Sequence, residues 1–302
     1  MLHPGRGSPP RIQPQGEPHM KKKSGSSTTI ILILILIVGL SLLLYPTVSN
    51  YWNSFHQSRA IATYTQQVSQ LTEEDYSQLW EDARDYNRAL AGKDGYYLSE
   101  EQQSRYNALL DITGSGIMGY VDIPAIKCSL PIYHGTGESV LQVAAGHLDW
   151  TSLPVGGETS HCVISGHRGL PSAKLFTDLD RLALGDFFTL RVLDEVLTYQ
   201  VDQILVVLPN EMEALTIEDG ADYCTMVTCT PYGINSHRLL VRGHRVDNSL
   251  LPTTIHVPSD AVLIDPLVVA PIVAVPMLLV LLLILLLPKR RRLSSGGDDL
   301  AI

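Results

Sequence analysis

Two stretches of this chain are almost wholly apolar, and between them the spacing of hydrophobic positions changes from helical to strand-like. From Thr28 to Tyr45 the residues are nearly all Ile, Leu and Val without a charge, about the length of a bilayer-crossing helix. From Leu267 to Leu287 a second apolar run is interrupted only by Pro271 and Pro276, which membrane helices tolerate. The pattern predicts spans at 28–45 and 266–288. From Asn50 to Leu110 apolar residues recur at intervals of three and four: Ile61, Tyr64, Val68 and Leu71, then Leu79, Ala83, Tyr86 and Leu90. That is the signature of two amphipathic helices. Thr72 with Asp75, and Ser99 with Gln102, are spaced as capping boxes and mark two helix starts. Residues 46–113 are thus expected to be a helical region, with a glycine-bearing loop at about 91–98.

Beyond Gly116 the runs become short and β-branched, punctuated by Gly and Pro: Met118–Ile123, Ser129–Tyr133, His161–Ser165, Phe187–Leu193, Val196–Leu208, Asp222–Cys229 and Arg238–Val246. Closely spaced strands of this kind predict a closed or nearly closed, antiparallel-rich β-barrel over residues 114–250. A short helical insert is expected at Lys174–Leu179. The fold class is therefore mainly β, with an N-terminal helical region and short helices, flanked by two transmembrane helices.

Charge orients this arrangement. Lys21, Lys22 and Lys23 precede the first span, and Lys289, Arg290, Arg291 and Arg292 follow the second. The positive-inside rule places both termini in the cytoplasm and the middle outside, a two-pass protein of the cell membrane. No small-x-small cleavage site follows Leu44, so the first span reads as an uncleaved anchor. Residues 1–27 form a tail of disordered composition, within which Met20 is a second natural start; 251–265 is a linker and 289–302 a basic tail. The net charge of −9 over 302 residues argues against nucleic acid as a partner. No His-x-x-x-His or Cys-x-x-Cys spacing stands in a metal context, so no metal and no cofactor is expected.

The candidate chemistry lies between Tyr223 and Arg245. Cys229 ends one apolar run, a Pro-Tyr-Gly-Ile-Asn-Ser turn follows, and Arg238 opens the next. A thiol with an ordinary pKa of about 8.5 needs a base or a cationic neighbour to act as a nucleophile. His167 closes the run Cys-Val-Ile-Ser-Gly-His at a strand mouth, and His147 is the rival base. His134, His161, His237 and His244 read as surface or strand-end residues. Arg238 and Arg242 share one face of their strand, and the alternation alone does not choose between them; proximity to the Cys229 turn favours Arg238.

Thr225-Met-Val-Thr228-Cys229 resembles the T-L-x-T-C motif of sortases, Arg238-Leu-Leu-Val at a nine-residue offset resembles their arginine segment, and Ser165-Gly-His167-Arg-Gly-Leu-Pro their histidine segment. Further similarity in Gly119-Tyr-Val-Asp-Ile-Pro, Leu130-Pro-Ile-Tyr-His-Gly, Thr151-Ser-Leu-Pro and Leu175-Phe-Thr-Asp-Leu-Asp, with the two-span layout, points to class C, the pilin-polymerising sortases. The resemblance implies a sortase-type β-barrel of about eight strands with Cys229 as nucleophile, His167 as general acid and base, Arg238 as oxyanion or substrate stabiliser, and Thr228 supporting the substrate. It implies an LPxTG-like sorting signal cut between Thr and Gly, and transfer to a lysine amine of a pilin subunit. Cell-wall anchoring, acyl transfer to water and a non-enzymatic pilus scaffold are the alternatives. Class C enzymes carry an Asp-Pro-aromatic lid; here Asp94-Gly95-Tyr96 takes its place, with Asp94 and Tyr96 as the lid residues and a looser backbone at Gly95. If the His167 and Cys229 strands run parallel, as the resemblance implies, Cys162 and Cys224 are neighbours on the opposite face, expected as two unbonded buried thiols.

Overall fold

The computed structural model describes residues 25–91, 95–250, 274–280 and 282. Asp94, the 251–265 linker, most of the second predicted span and both chain ends lie outside the described residues. The described residues fall into two compact units, one within 1–42 and 270–302, the other within 43–269.

Helix α1 is a single element, Gly25–Val68, with Pro46 inside it, so no break marks the expected 45/46 boundary. Among the described residues it is the one helix long and apolar enough to cross a membrane. Of the second predicted span, residues 274–280 and Leu282 are helical.

In the larger unit the helical spacings settle as expected. Helix α2 spans Glu73–Ala91 and buries Trp80, Ala83, Tyr86 and Leu90. Asp75 accepts from the Thr72 backbone N–H at 2.9 Å and the Thr72 hydroxyl accepts from Asp75 N–H at 3.2 Å, a reciprocal cap worth about 1 kcal/mol. Helix α3, Glu100–Ala108, opens on a complete capping box between Ser99 and Gln102. Helix α4 is the single turn Glu138–Leu141.

Eight strands close the barrel in the order β1-β2-β3-β4-β7-β8-β6-β5. They are β1 Ile117–Ile123, β2 Cys128–His134, β3 Ala145–His147, β4 Ser160–Ser165, β5 Phe187–Val192, β6 Glu195–Val207, β7 Asp222–Thr230 and β8 His237–Val246. All ladders are antiparallel except β2–β3 and β4–β7. Strand β3, three residues long, carries too short a pattern to announce itself. The expected helix at Lys174–Leu179 is absent: that stretch is a series of turns before a 3-10 turn at Leu179–Arg181. Phe176 and Leu179 bury there individually, which a turn achieves as well as a helix.

Strands β4 and β7 are covered on both faces. Cys162, Ile164, Cys224 and Met226 join the barrel interior, while Val163, Val227 and Leu240 form a second cluster with Leu215, Leu148 and Trp150. Burial on both faces explains their near-continuous apolar sequence.

Candidate active site

Alternation along β4, β7 and β8 decides which side chains meet. Partners in a ladder share a face, and successive residues alternate. Val163 pairs with Thr225 and Ser165 with Val227 in the parallel β4–β7 ladder; Val227 pairs with Leu240 and Cys229 with Arg238 in the antiparallel β7–β8 ladder. Val163, Val227 and Leu240 belong to the outer cluster, so Cys229 and Arg238 stand on the outer face too. Continuing the β4–β7 register by two residues sets His167 level with Cys229, one strand spacing of about 4.8 Å away. A thiol, an imidazole and a guanidinium are thereby gathered at one end of one face.

Local contacts fix that end. Gly166 N–H donates to the Val227 carbonyl at 3.0 Å, and the Thr228 hydroxyl donates to the Gly166 carbonyl at 2.8 Å. Thr228 is buried, so it ties the His167 segment to β7 and offers no surface to a substrate. A Cβ on Gly166 would meet the Phe176 ring at 2.6 Å, which restricts this position to glycine. The His167 carbonyl accepts from Phe176 N–H at 3.1 Å. Its imidazole is partly exposed, with Nε2 3.8 Å from a carboxylate oxygen of Glu138.

Arg238 is half-buried and its Nη1 donates to the carbonyls of Asn235 at 3.3 Å and His237 at 3.1 Å. Cys229 is also half-buried. A partly accessible thiol facing a guanidinium, with an imidazole beside them, is the set that acyl transfer through a thioester uses.

The rivals are placed elsewhere. Arg242 bonds Asp202 at 3.0 Å and lies 4.0 Å over the Tyr223 ring, a fully engaged side chain. His147 is completely buried: its Nε2–H donates to the Ser152 carbonyl at 2.8 Å, which leaves Nδ1 to accept from the Tyr106 hydroxyl at 3.0 Å. His161 sits at a strand end as expected but is buried rather than at the surface, between the Thr216 carbonyl and the Thr225 hydroxyl. Cys162 and Cys224 are register partners in β4–β7 and both are free thiols.

Tyr96 packs edge-on against Trp150 with ring centroids 4.8 Å apart, and Trp150 borders the outer cluster on the face that carries Cys229. Three neighbours of the site were not marked by the sequence pattern: Trp150, Glu138 and Arg168. The Arg168 guanidinium pairs with Asp180, approaches the Thr230 hydroxyl at 3.5 Å and lies 5.9 Å from the Tyr232 ring centroid. It braces the residue after His167 against the residue after Cys229, a link visible only once β4 and β7 are known to be adjacent. Among the described residues no group of three His, Cys, Asp or Glu forms a metal-binding cluster.

A family profile described as a sortase domain matches residues 121–246. The structure is similar to that of sortase C1 from Streptococcus agalactiae, 49% identical, with a TM-score of 0.62 and coverage of 63% of this chain and 99% of that one. It is similar also to Clostridium perfringens sortase C, solved with the C-terminal cell wall sorting motif, at 43% identity, a TM-score of 0.56 and coverage of 63% and 99%. Among curated relatives, sortase A of Streptococcus agalactiae is 31% identical over 117 residues; the match spans 38% of this chain and 47% of that protein, about half its length.

Proposed function

The chain belongs to the sortase family of cysteine transpeptidases, and from that premise we propose that it is a membrane-anchored, class C enzyme that polymerises pilins. The carrying observation is the direct pairing of Cys229 with Arg238 across β7–β8, beside the end of β4 where His167 stands.

In this reading the Cys229 sulfur attacks the Thr carbonyl of an LPxTG-like signal. The carbonyl electron pair moves onto oxygen, where the Arg238 guanidinium donates hydrogen bonds to the developing charge. His167 delivers a proton to the departing glycine nitrogen as the C–N bond breaks, leaving a thioacyl enzyme. A lysine amine of the next pilin then attacks the thioester, His167 takes its proton, and the thiolate leaves as an isopeptide bond forms. Trp150, partly buried at the edge of the outer cluster, offers an apolar contact for the signal's leucine or proline. Tyr96 on Trp150 supports a lid role for the 91–98 loop, with Asp94 as its acidic member; the lid must lift before the signal enters. Helix α1 supplies the first anchor, and the 266–288 run a second, with the catalytic unit outside and both termini in the cytoplasm.

The test is mass spectrometry of the enzyme with an LPxTG peptide. A thioacyl adduct on Cys229 that resolves to amide product when a lysine amine is added is expected. Hydrolysed product alone would reassign the chain as an endopeptidase, and no adduct would refute both readings.

A further inference from the structure

On α1 the apolar run does not stop where the barrel begins. Tyr45, Val48, Trp52 and Phe55 follow one another at intervals of three and four, which places them on one face of the helix. Each is exposed, at 56, 61, 63 and 53%, and neighbouring Tyr51 is 74% exposed. Exposed Arg59 continues the same stripe. The opposite face is held by the barrel in a definite order. Asn50 accepts from Lys174 N–H at 2.8 Å, and Asn53 donates to the Ser172 carbonyl at 2.8 Å. Gln57 then donates to the Val143 carbonyl at 2.7 Å, and the Tyr64 hydroxyl to the Met118 carbonyl at 2.9 Å.

We infer that Val48–Phe55 lies in the headgroup layer of a phospholipid bilayer and holds the barrel with its cysteine end toward that layer. This rests on the reading of the chain as a membrane-anchored sortase. Continuity with the span chooses lipid as the occupant: a run of about 20 residues crosses the hydrocarbon, and counted from Thr28 it ends near Val48. At about 1.5 Å per residue, Tyr51 and Trp52 then stand about 4–6 Å beyond the hydrocarbon edge, where indole and phenol rings partition. Arg59 follows on the same stripe with a charge complementary to lipid phosphate.

The same arithmetic positions the site. Ser172 and Lys174 are held by Asn53 and Asn50, the first barrel contacts beyond Val48, and they follow His167 by only five and seven residues. Phe176, two residues further, bonds the His167 carbonyl. The contacts met later along α1 belong to Val143, Met118 and Leu193. The end of β4 that carries His167 is thus the end bolted to the lipid-level turn, while Glu158, before the start of β4, is at the other end. A substrate whose own apolar segment lies in the same bilayer would meet Cys229 without leaving the surface.

The full chain in lipid nanodiscs tests this. Bimane is placed on Ser172→Cys or Glu158→Cys in a Cys229→Ala background, and quenching by headgroup nitroxide lipid is compared; brominated lipid reports on Trp52 in the unaltered chain. Quenching at least threefold stronger at 172 than at 158, with Trp52 quenched and that signal lost in Trp52→Phe, is expected. Equal or reversed quenching of the two labels, or an unquenched Trp52, which would mean that protein such as a second copy covers the stripe, overturns the proposal. Neither readout requires activity, so they stand apart from the peptide assay that tests the catalytic reading. As a second measurement, Trp52→Glu with Phe55→Glu should slow cleavage of a bilayer-tethered sorting signal about tenfold, while cleavage of the free peptide stays within twofold. Equal effects on the two substrates would overturn the orientation.

Discussion

On β7, and on β4 with its extension, an interior cysteine is followed five residues later by a reactive group at the rim, and the two sets behave differently. Inside the barrel, Cys162 and Cys224 face each other in register, with His147 on the neighbouring strand β3. At the mouth, Cys229 stands level with the position His167 takes when the register is extended. An odd offset reverses the face, and five residues at about 3.3 Å each move the pair from the interior to the rim. Burial pushes the Cys224 thiol well up; for Cys162 burial acts in the same direction but is outweighed by the neighbouring Cys224 thiol and the His147 ring, which lower it. No substrate carbonyl reaches either sulfur, since both are sealed from solvent. Access and a facing guanidinium, rather than residue type, separate the proposed nucleophile from its look-alikes.

The largest effect that would break this contrast is at the cysteines themselves. Cys229→Ala should abolish transfer, a fall of at least about 10⁴-fold in kcat, as loss of a covalent nucleophile does. Cys224→Ala and Cys162→Ala should keep kcat/KM within about threefold and lower the melting temperature instead, because each leaves a small cavity. Peptide-cleavage kinetics with a thermal melt on all three variants decide it. A Cys224 variant as dead as Cys229→Ala would place the interior pair in the mechanism.

Much of this was legible in the chain because period-2 and period-3.6 patterns survive in long elements. Seven of the eight strands and the two capped helices come from runs and caps that tertiary packing reinforced, as in β6, thirteen residues long. What escaped depends on neighbours distant in sequence. Three-residue β3 exists because it bridges β2 and β4. The turns at 174–179 replace a helix because Phe176 is drawn back to the Gly166–His167 backbone. Support for Arg238 over Arg242 comes from β6, whose Asp202 engages Arg242. Thr228 looks like a site residue by sequence proximity, yet alternation turns it inward.

The two arginines give the second test. Removing a donor aimed at a developing oxyanion costs about 10²–10³ in kcat, so Arg238→Ala should fall in that range with KM changed far less. Arg242→Ala removes the Asp202 pair and the Tyr223 stack and should leave kcat within about threefold. Its cost belongs in stability, a melting temperature lower by about 2–8 °C. Steady-state kinetics and melts on the two variants check the exchange; an Arg242 variant with the kinetic defect would reverse the assignment.

The smallest expected effect sharpens the contrast along a single face. His161 and His167 are both on β4 or its direct extension, and six residues apart they point the same way, but His161 is enclosed at the far end. Its burial depresses its pKa below the ordinary value of about 6.5, with Arg242 acting in the same direction and the Thr216 carbonyl, Glu218 and Asp202 acting against it. His134 is depressed for the same leading reason. In both cases the unfolded chain takes up a proton at a pH where the folded chain does not, so stability is fully present above about pH 6.5 and is lost as pH falls below it. The melting temperature should therefore decline between pH 7 and 5. His161→Gln, whose amide can still donate to Thr216 and accept from Thr225, should flatten part of that decline, by an amount on the order of 1 kcal/mol. His167→Gln, at the exposed end of the same line, should remove the acid and base from catalysis. Melts of the unaltered protein and the His161 variant across that pH range measure the stability effect, and a His161 variant with the unaltered slope would show that enclosure at the far end does not keep that imidazole neutral.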